Sequence, residues 1–162
     1  MNKYILSVDI KSCVGCQACE VVCKQEFNLP VGPKFISVKK DGPKKVGDKI
    51  RTDYIPIFCD HCEEAECIKA CPENAIIKRP DGIVIVIKER CTGCKLCISA
   101  CPTGVPQYIP NENVVGFCNY CADRIDEGLE PACVIVCPSK CIYFGEVDDV
   151  EKRMKEHGGY TT

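Results

Sequence analysis

The sequence is poor in aromatic and imidazole side chains: its 162 residues include no tryptophan, five phenylalanines, six tyrosines and two histidines. It also lacks a Ser/His/Asp or Cys/His nucleophile set and the glycine patterns of Walker and dinucleotide-binding loops. A conventional apolar core would therefore be thin, and an active site that converts a substrate is not expected. We expect a non-catalytic protein whose folding is coupled to bound cofactors.

Long apolar segments are absent as well. The longest run of aliphatic residues is 83–87, far short of the roughly 18 residues that cross a bilayer. Residues 1–9 contain no apolar stretch, cleavage site or twin-arginine pair of an export signal, and the net charge of −2 argues against nucleic acid as a partner. These features predict a cytoplasmic protein without its own membrane span. Membrane association through a partner, or export folded with a partner, would be compatible with them.

Cysteine is abundant, with 17 residues. In a short secreted chain this density would suggest a disulfide scaffold. The count is odd, however, and sixteen of the cysteines fall into four runs of four. The pattern favours metal ligation in a reducing compartment.

The third run has the most specific pattern, C-x2-C-x2-C-x3-C-P, formed by Cys91, Cys94, Cys97 and Cys101 before a proline. Bacterial ferredoxins hold cubane iron–sulfur clusters with this spacing, three cysteines ligating one cluster and the fourth a second cluster. Gly93 suits a backbone that turns tightly and points amide groups at anionic sulfur. A zinc ribbon is the alternative, but it normally offers two C-x2-C pairs for each metal.

Three further runs complete the set. They are Cys13, Cys16, Cys19 and Cys23 in the first run, Cys59, Cys62, Cys67 and Cys71 in the second, and Cys118, Cys121, Cys133 and Cys137 in the fourth. The first run repeats the third without its final proline, and the long gap of the fourth run would by spacing alone also fit a zinc site. Sixteen thiolates are the number that four [4Fe–4S] clusters require. We therefore expect four cubanes and no three-iron cluster.

Two other potential ligands lie outside this count. Cys141, four residues after Cys137, is interpreted as a small buried side chain and not as a ligand. His61 lies inside the second run, where four cysteines already suffice. A hydrogen-bonding or surface role is expected for its imidazole.

Short strands and turns are predicted between the runs, followed by one helix. The extended segments cover 3–10, 35–38, 49–57, 75–87 around a Pro-Asp-Gly turn, 105–117 around a turn at 110–113, and 142–145, and the helix covers 147–156. Residues 39–47 are expected to form a turn-rich connection.

The segment from Lys34 to Arg51 is basic. It carries seven basic residues against two acidic ones, which leaves about −7 on the rest of the chain. A solvated hairpin tip is the simpler interpretation, and docking against an acidic partner is the alternative.

Several motifs together carry a resemblance to a known family. They are Cys59-Asp-His-Cys62, Cys71-Pro-Glu-Asn-Ala-Ile76, Cys118-Asn-Tyr-Cys-Ala-Asp-Arg-Ile125, Pro131-Ala-Cys133, Cys137-Pro138, Phe144-Gly145 and, in the first run, Cys23-Lys-Gln-Glu26. The protein resembles, over about residues 3–150, the four-cluster [4Fe–4S] electron-transfer (beta) subunit of molybdenum and tungsten oxidoreductases of the dimethyl sulfoxide reductase type.

The resemblance implies an α+β fold of two fused bacterial-ferredoxin-like halves, each with two [4Fe–4S] clusters, short β-hairpins and short helices. The expected organisation is a single polyferredoxin unit over residues 1–162. Its parts would be half A from about 1–30 and 105–150, half B from about 54–104, a basic hairpin insertion at 31–53 and a C-terminal tail at 151–162.

The resemblance also implies ligand sets that cross between runs, here called sites 1 to 4. Site 1 would take Cys13, Cys16, Cys19 and Cys137; site 2, Cys23, Cys118, Cys121 and Cys133; site 3, Cys71, Cys91, Cys94 and Cys97; site 4, Cys59, Cys62, Cys67 and Cys101. Sites 1 and 2 would combine cysteines from the two ends of the chain, and sites 3 and 4 would combine cysteines from its middle. The four clusters would then form one continuous path for electrons.

The function implied is the relay of single electrons, in anaerobic metabolism, between a larger molybdenum- or tungsten-pterin catalytic subunit and another redox partner. A further redox or membrane-anchor subunit is a candidate member of such a complex. The alternative is an independent soluble polyferredoxin that shuttles electrons between separate enzymes, such as hydrogenase or CO dehydrogenase complexes. A protein for cluster assembly or storage is a third interpretation.

Overall fold

The computed structural model describes residues 3–156, and within that range it contains short helices and short strands. The strands are β1 (Tyr4–Val8), β2 (Ser37–Val46), β3 (Lys49–Ile57), β4 (Ile76–Lys78), β5 (Val84–Val86), β6 (Gln107–Ile109), β7 (Val114–Gly116) and β8 (Ile142–Glu146). The helices are α1 (Ala18–Glu26), α2 (Glu66–Lys69), α3 (Leu96–Ala100), α4 (Ala122–Asp126), α5 (Ala132–Val136) and α6 (Val147–Glu156), with a 3₁₀ turn at Lys88–Arg90. None of the helices in this range is long and apolar enough to span a membrane.

The strands pair into antiparallel two-stranded sheets: β1 with β8, β2 with β3, β4 with β5, and β6 with β7. The last three pairs are hairpins, whereas β1 and β8 bring the two ends of the described range together, with Tyr4 opposite Glu146 and Val8 opposite Ile142. A two-stranded sheet is marginally stable by itself. The fold therefore depends on the core that is packed between these small sheets and helices.

Several local predictions are confirmed. The hairpin of β4 and β5 turns at Asp81-Gly82, where Gly82 has a φ of 89° and an Asp81 carboxylate oxygen accepts the N–H of Ile83 at 3.1 Å. Helix α6 covers the predicted residues and buries Val150 and Met154 against β8. It also extends six residues into the segment that was expected to be a C-terminal tail; residues 157–162 lie outside the described range.

The expected turn-rich connection at 39–47 is wrong. Strand β2 continues to Val46, so the turn between β2 and β3 comprises only Gly47 and Asp48. Pairing with β3 continues outward from Ser37 opposite Ile57 to Val46 opposite Lys49, with an irregularity between Asp41 and Lys44. The ladder hydrogen bonds outweigh the low strand propensity of lysine, aspartate and glycine, a local preference that sequence reasoning weighted too heavily.

Cysteines form part of the main core. Buried thiols lie among aliphatic and aromatic side chains, at Cys19, Cys23, Cys59, Cys97, Cys118, Cys133 and Cys137. Helix α1 packs against α5, and α2 packs against α3. The first and fourth runs are therefore adjacent, as are the second and third.

Candidate metal centres

The third cysteine of every run occupies the same position, the second residue of a helix. These residues are Cys19 in α1, Cys67 in α2, Cys97 in α3 and Cys133 in α5. The first two cysteines of each run precede that helix in the sequence; in the fourth run, helix α4 lies between them and α5.

The first and third runs reach their helices by the same backbone path. Gly15 and Gly93 have φ values of 68° and 69°, and the residues before the helices, Gln17 and Lys95, have 61° and 66°. Glycine adopts this left-handed conformation without steric cost, as expected for Gly93. A methyl group on Gly93 would also lie 2.6 Å from the backbone oxygen of Asn113. The absence of a side chain there is required by both conformation and space.

Replacing Gly93 by alanine is expected to remove the metal centre of the third run. The left-handed conformation alone costs a side chain about 1–2 kcal/mol, and the clash with Asn113 displaces the loop in addition. Iron analysis should show a loss of about four iron atoms per protein molecule. The matched control is Gly47→Ala, because Gly47 has a similar φ of 60° but open space around it, in the turn between β2 and β3. Equal iron loss in both variants would contradict the steric explanation.

The cysteines of site 3 line one cavity: Cys71, Cys91, Cys94 and Cys97. Two backbone groups donate to their sulfur atoms, the N–H of Ala75 to Cys71 Sγ and the N–H of Val115 to Cys91 Sγ, each at 3.3 Å. Hydrogen bonds to the ligand sulfur atoms are among the factors that set the reduction potential of a cluster. One cysteine of the second run thus faces three of the third.

The cysteines of site 4 line a second cavity: Cys59, Cys62, Cys67 and Cys101. Burial raises the pKa of Cys59 to about 12. Burial also opposes ionisation of Cys101, but the Thr103 hydroxyl, 3.4 Å from its sulfur, and the backbone N–H groups of residues 103–105 outweigh that effect and lower its pKa. Thr103, the residue after Cys101-Pro102, therefore contributes to the site. Sequence analysis missed this role, although the position of Thr103 directly after the Cys-Pro pair was a signal.

Sites 1 and 2 bring together cysteines from the two ends of the sequence. At site 1, Cys19 lies close enough to Cys13 and Cys16 for their charges to act on it, and Cys141 is close to both Cys13 and Cys137. Burial raises the pKa of Cys19 to about 11, and these neighbouring charges contribute to the increase. The first run therefore lies next to the last cysteine of the fourth.

At site 2, burial raises the pKa of all four thiols. The charges of other cysteines contribute to the increase for Cys23, Cys118 and Cys133. The charge of Cys121 acts on Cys23 and on Cys133. The charges of Cys133 and Cys23 act on Cys118. All four thiols of this site are buried. A metal group held here would be shielded from solvent.

Neighbouring sites also interact. The charge of Cys19 acts on Cys133, which links site 1 to site 2. The charge of Cys59 acts on Cys118, which links site 2 to site 4, and the charge of Cys67 acts on Cys97, which links site 4 to site 3. Among the expected ligand sets, charges therefore act between thiols of sets 1 and 2, of sets 2 and 4, and of sets 4 and 3.

The donor sets suit a group of several metal atoms. Four thiols surround each of the two cavities, and the thiolate is the ligand of iron–sulfur clusters. Among residues 3–156, no three candidate ligands converge as closely as a single metal ion requires. A cluster places metal and sulfide atoms between its ligands, so wider separation of the thiols is compatible with it.

His61 has a hydrogen-bonding role, as expected. Its Nδ1 accepts the N–H of Val84 at 2.7 Å, and its ring centroid lies 3.8 Å from that of Tyr120. The imidazole is 1% exposed. Burial lowers its pKa to about 4, so the ring is neutral at physiological pH.

Replacing His61 by phenylalanine is expected to leave the iron content unchanged and to weaken the fold. The buried N–H of Val84 would lose its acceptor, which costs about 1–3 kcal/mol. The guanidinium midpoint for loss of cluster absorbance measures this effect. His61→Asn is the matched control, because asparagine tolerates the φ of 47° at this position and offers an amide oxygen. Loss of iron in the phenylalanine variant would instead indicate that His61 is a ligand.

Cys141 is buried immediately before β8, with its Sγ 3.5 Å from that of Cys137. This contact had no signal in the sequence beyond the four-residue spacing. A packing role without iron ligation stays a prediction.

Comparison with known proteins gives consistent similarities. Residues 50–147 match a family described as a 4Fe-4S dicluster domain, and residues 10–28 match a 4Fe-4S binding domain. The thiosulfate reductase electron transfer subunit PhsB of Salmonella typhi is 40% identical over 93% of this chain and 79% of its own length. The B subunit of polysulfide reductase from Wolinella succinogenes is 36% identical over 96% and 82%. The B subunit of anaerobic dimethyl sulfoxide reductase from Escherichia coli K12 is 35% identical over 94% and 78%.

Proposed function

The chain belongs to the iron–sulfur electron-transfer subunits of reductases of the dimethyl sulfoxide reductase type, and on that premise we propose that it relays single electrons between a molybdenum- or tungsten-pterin catalytic subunit and another redox partner. The observation that carries the proposal is the convergence of cysteines from different runs, with two cavities that are each lined by cysteines of two runs. The relatives favour this role over an independent polyferredoxin, because the similarity to reductase subunits extends over almost the whole chain.

The proposed ligand sets are those of sites 1 to 4. Support for sites 3 and 4 comes from the cavity linings, which combine three cysteines of one run with one of the other. Support for sites 1 and 2 comes from the charge interactions among thiols of the first and fourth runs. Bound in these positions, [4Fe–4S] clusters supply one-electron carriers. The protein itself contributes the thiolates, the N–H donors to sulfur and the exclusion of water.

The charge interactions between cysteine sets support a single path with two ends. Site 2 has no exposed cysteine, whereas sites 1 and 3 each have one, Cys16 and Cys94. Exposed Cys62 belongs to site 4, next to the site 3 end. Exchange of electrons with other proteins is therefore proposed at the outer sites, with site 2 as an internal step.

We further propose two ferredoxin-like halves. The pairing of β1 with β8 and the packing of α1 on α5 bring the first and fourth runs together, which supports half A. The α2–α3 contact brings the second and third runs together, which supports half B. The hairpin of β6 and β7 contacts the third run through Val115 and Asn113, which favours assigning about 105–117 to half B instead of half A. Residues 31–53 remain a basic insertion.

The partners proposed are a larger pterin-containing catalytic subunit and a further redox or membrane-anchor subunit, in the cytoplasm or at a membrane through that partner. The test is affinity purification of the tagged protein from its natural source, with metal and pterin analysis. A stoichiometric complex with a molybdenum- or tungsten-containing subunit is expected. A monodisperse free monomer, with no pterin enzyme retained, would favour the polyferredoxin alternative and refute this proposal.

A further inference from the structure

We propose that Lys95 sets the reduction potential of site 3 by holding a positive charge at the rim of its cavity, on the ring of Tyr108. The inference rests on the proposed function, since it assigns a regulating residue to one end of the electron path. It is carried by the position of Lys95 in the cavity lining, by the contacts that fix its ammonium group and by the neutral residue at the equivalent position of the first run.

Lys95 belongs to the loop of the third run itself. It follows Cys94 directly and lines the same cavity as Cys94 and Cys97. Its backbone has a φ of 66° and forms the N-terminal boundary of α3. The lysine side chain therefore begins at a fixed point next to two of the proposed ligands of site 3.

The ammonium group is held by the hairpin of β6 and β7. Its nitrogen lies 3.8 Å from the centroid of the Tyr108 ring, which is a cation–π contact. The Tyr108 hydroxyl donates to the side-chain oxygen of Asn113 at 2.7 Å, and the backbone oxygen of Asn113 lies against Gly93 in the loop of the third run. The hairpin that supplies an N–H donor to Cys91 Sγ thus also fixes the lysine.

The charge of Lys95 is not neutralised by a carboxylate in the part of the chain that the structure describes, residues 3–156. In contrast, Lys88, in the 3₁₀ turn before the same run, is paired with Glu112 at 2.6 Å. The cavity lining also contains Glu73, whose charge acts in the opposite direction. Removal of the Lys95 charge would therefore leave a negative lining around site 3.

The first run shows that this backbone path does not need a lysine. Gln17 occupies the equivalent position directly before α1, with a φ of 61°, so a neutral side chain accommodates the same conformation. Because reduction adds negative charge to a cluster, a fixed cation beside site 3 stabilises the reduced form and raises its potential. An electron on the relay is then biased toward this outer site, where Cys94 is exposed.

The experiment uses the intact iron-loaded protein, titrated to defined potentials at low and high salt and followed by electron paramagnetic resonance. The signal of site 3 is the one that Cys97→Ser alters. Lys95→Gln removes the charge and introduces the side chain that the first run has at this position, whereas Lys95→Arg keeps the charge. Tyr108→Leu removes the ring, whereas Tyr108→Phe keeps it. Lys152→Gln on α6 is the control for a change in net charge.

The proposal predicts that Lys95→Gln lowers the equilibrium constant for reduction of site 3 about twofold to fivefold at low salt. For a one-electron couple this is a fall in potential of about 20–40 mV. The shift should shrink at high salt, because the lysine is exposed. Tyr108→Leu should lower the potential by a smaller amount. Lys95→Arg, Tyr108→Phe and Lys152→Gln should leave it unchanged.

An unchanged site 3 potential in Lys95→Gln would overturn the proposal, and so would an equal shift in Lys95→Arg or in Lys152→Gln. If Lys95→Gln lost the iron of site 3, Tyr108→Leu would decide: a potential equal to that of the unmodified protein overturns the proposal. None of these results alters the iron content of the unmodified protein or its co-purification with a pterin enzyme. Failure of this inference is therefore distinct from failure of the proposed function.

Discussion

Removal of iron is expected to abolish most of the secondary structure of the protein, with loss of the far-ultraviolet circular dichroism of its helices and strands. The reason is the absence, within residues 3–156, of any sheet with more than two strands and of any helix longer than ten residues. Elements of this size are not stable in isolation. They are held by a core in which cysteines lie among apolar side chains.

Without metal, the space between those cysteines would be poorly filled. The metal–sulfur bonds that join distant parts of the sequence would also be lost. Metal binding in small ligand-dependent domains is itself folding free energy. Anaerobic treatment with a chelator and reductant, followed by circular dichroism, measures the effect. Reconstitution with ferrous iron and sulfide is the control, and it should restore the spectrum. A native spectrum with a cooperative thermal transition in the iron-free protein would contradict the expectation.

The second large effect concerns Cys101, which lies in the third run but faces the cysteines of the second. Its thiol lines the cavity of Cys59, Cys62 and Cys67, and the charge of Cys101 acts on Cys67. We expect Cys101→Ser to remove or convert the cluster of site 4 and to leave that of site 3 in place. Loss of about one to four iron atoms per protein molecule is the expected scale, since a cubane loses one iron or all of them.

The matched variant is Cys97→Ser, from the same run and four residues earlier. Cys97 lines the other cavity, with Cys71, so its replacement should alter site 3 and spare site 4. Cys141→Ser serves as the control for a buried cysteine outside the proposed ligand sets and should retain all iron. Electron paramagnetic resonance of the reduced proteins distinguishes the sites by their signals. Identical spectral changes in Cys97→Ser and Cys101→Ser would refute the crossed arrangement.

Parts of this structure follow from local sequence because the determining interactions are local. The turn at Asp81-Gly82 and the buried face of α6 depend on residues that are neighbours in the sequence. The same holds for the tight turn at Gly93, which needs a residue without a side chain.

Other features depend on residues that are far apart in the sequence. Spacing within one run does not identify which other run completes a cluster; that assignment was implied by family resemblance. The contact of Tyr54 with Gly15 and the hydrogen bond from Val115 to Cys91 arise only when separate segments pack together. The length of β2 was missed for a similar reason, because pairing with β3 decides it. Sequence patterns therefore group the cysteines into runs but do not identify the contacts that surround them.

The central claim is that sixteen cysteines of this protein hold four [4Fe–4S] clusters as a one-electron relay. Mössbauer spectroscopy of the anaerobically purified, ⁵⁷Fe-labelled protein, combined with its iron content, tests the claim most directly. The expected result is about sixteen iron atoms per protein molecule, all in [4Fe–4S] clusters that accept electrons on reduction. A strong three-iron component in the oxidised protein, or iron for only one or two clusters after full reconstitution, would contradict it.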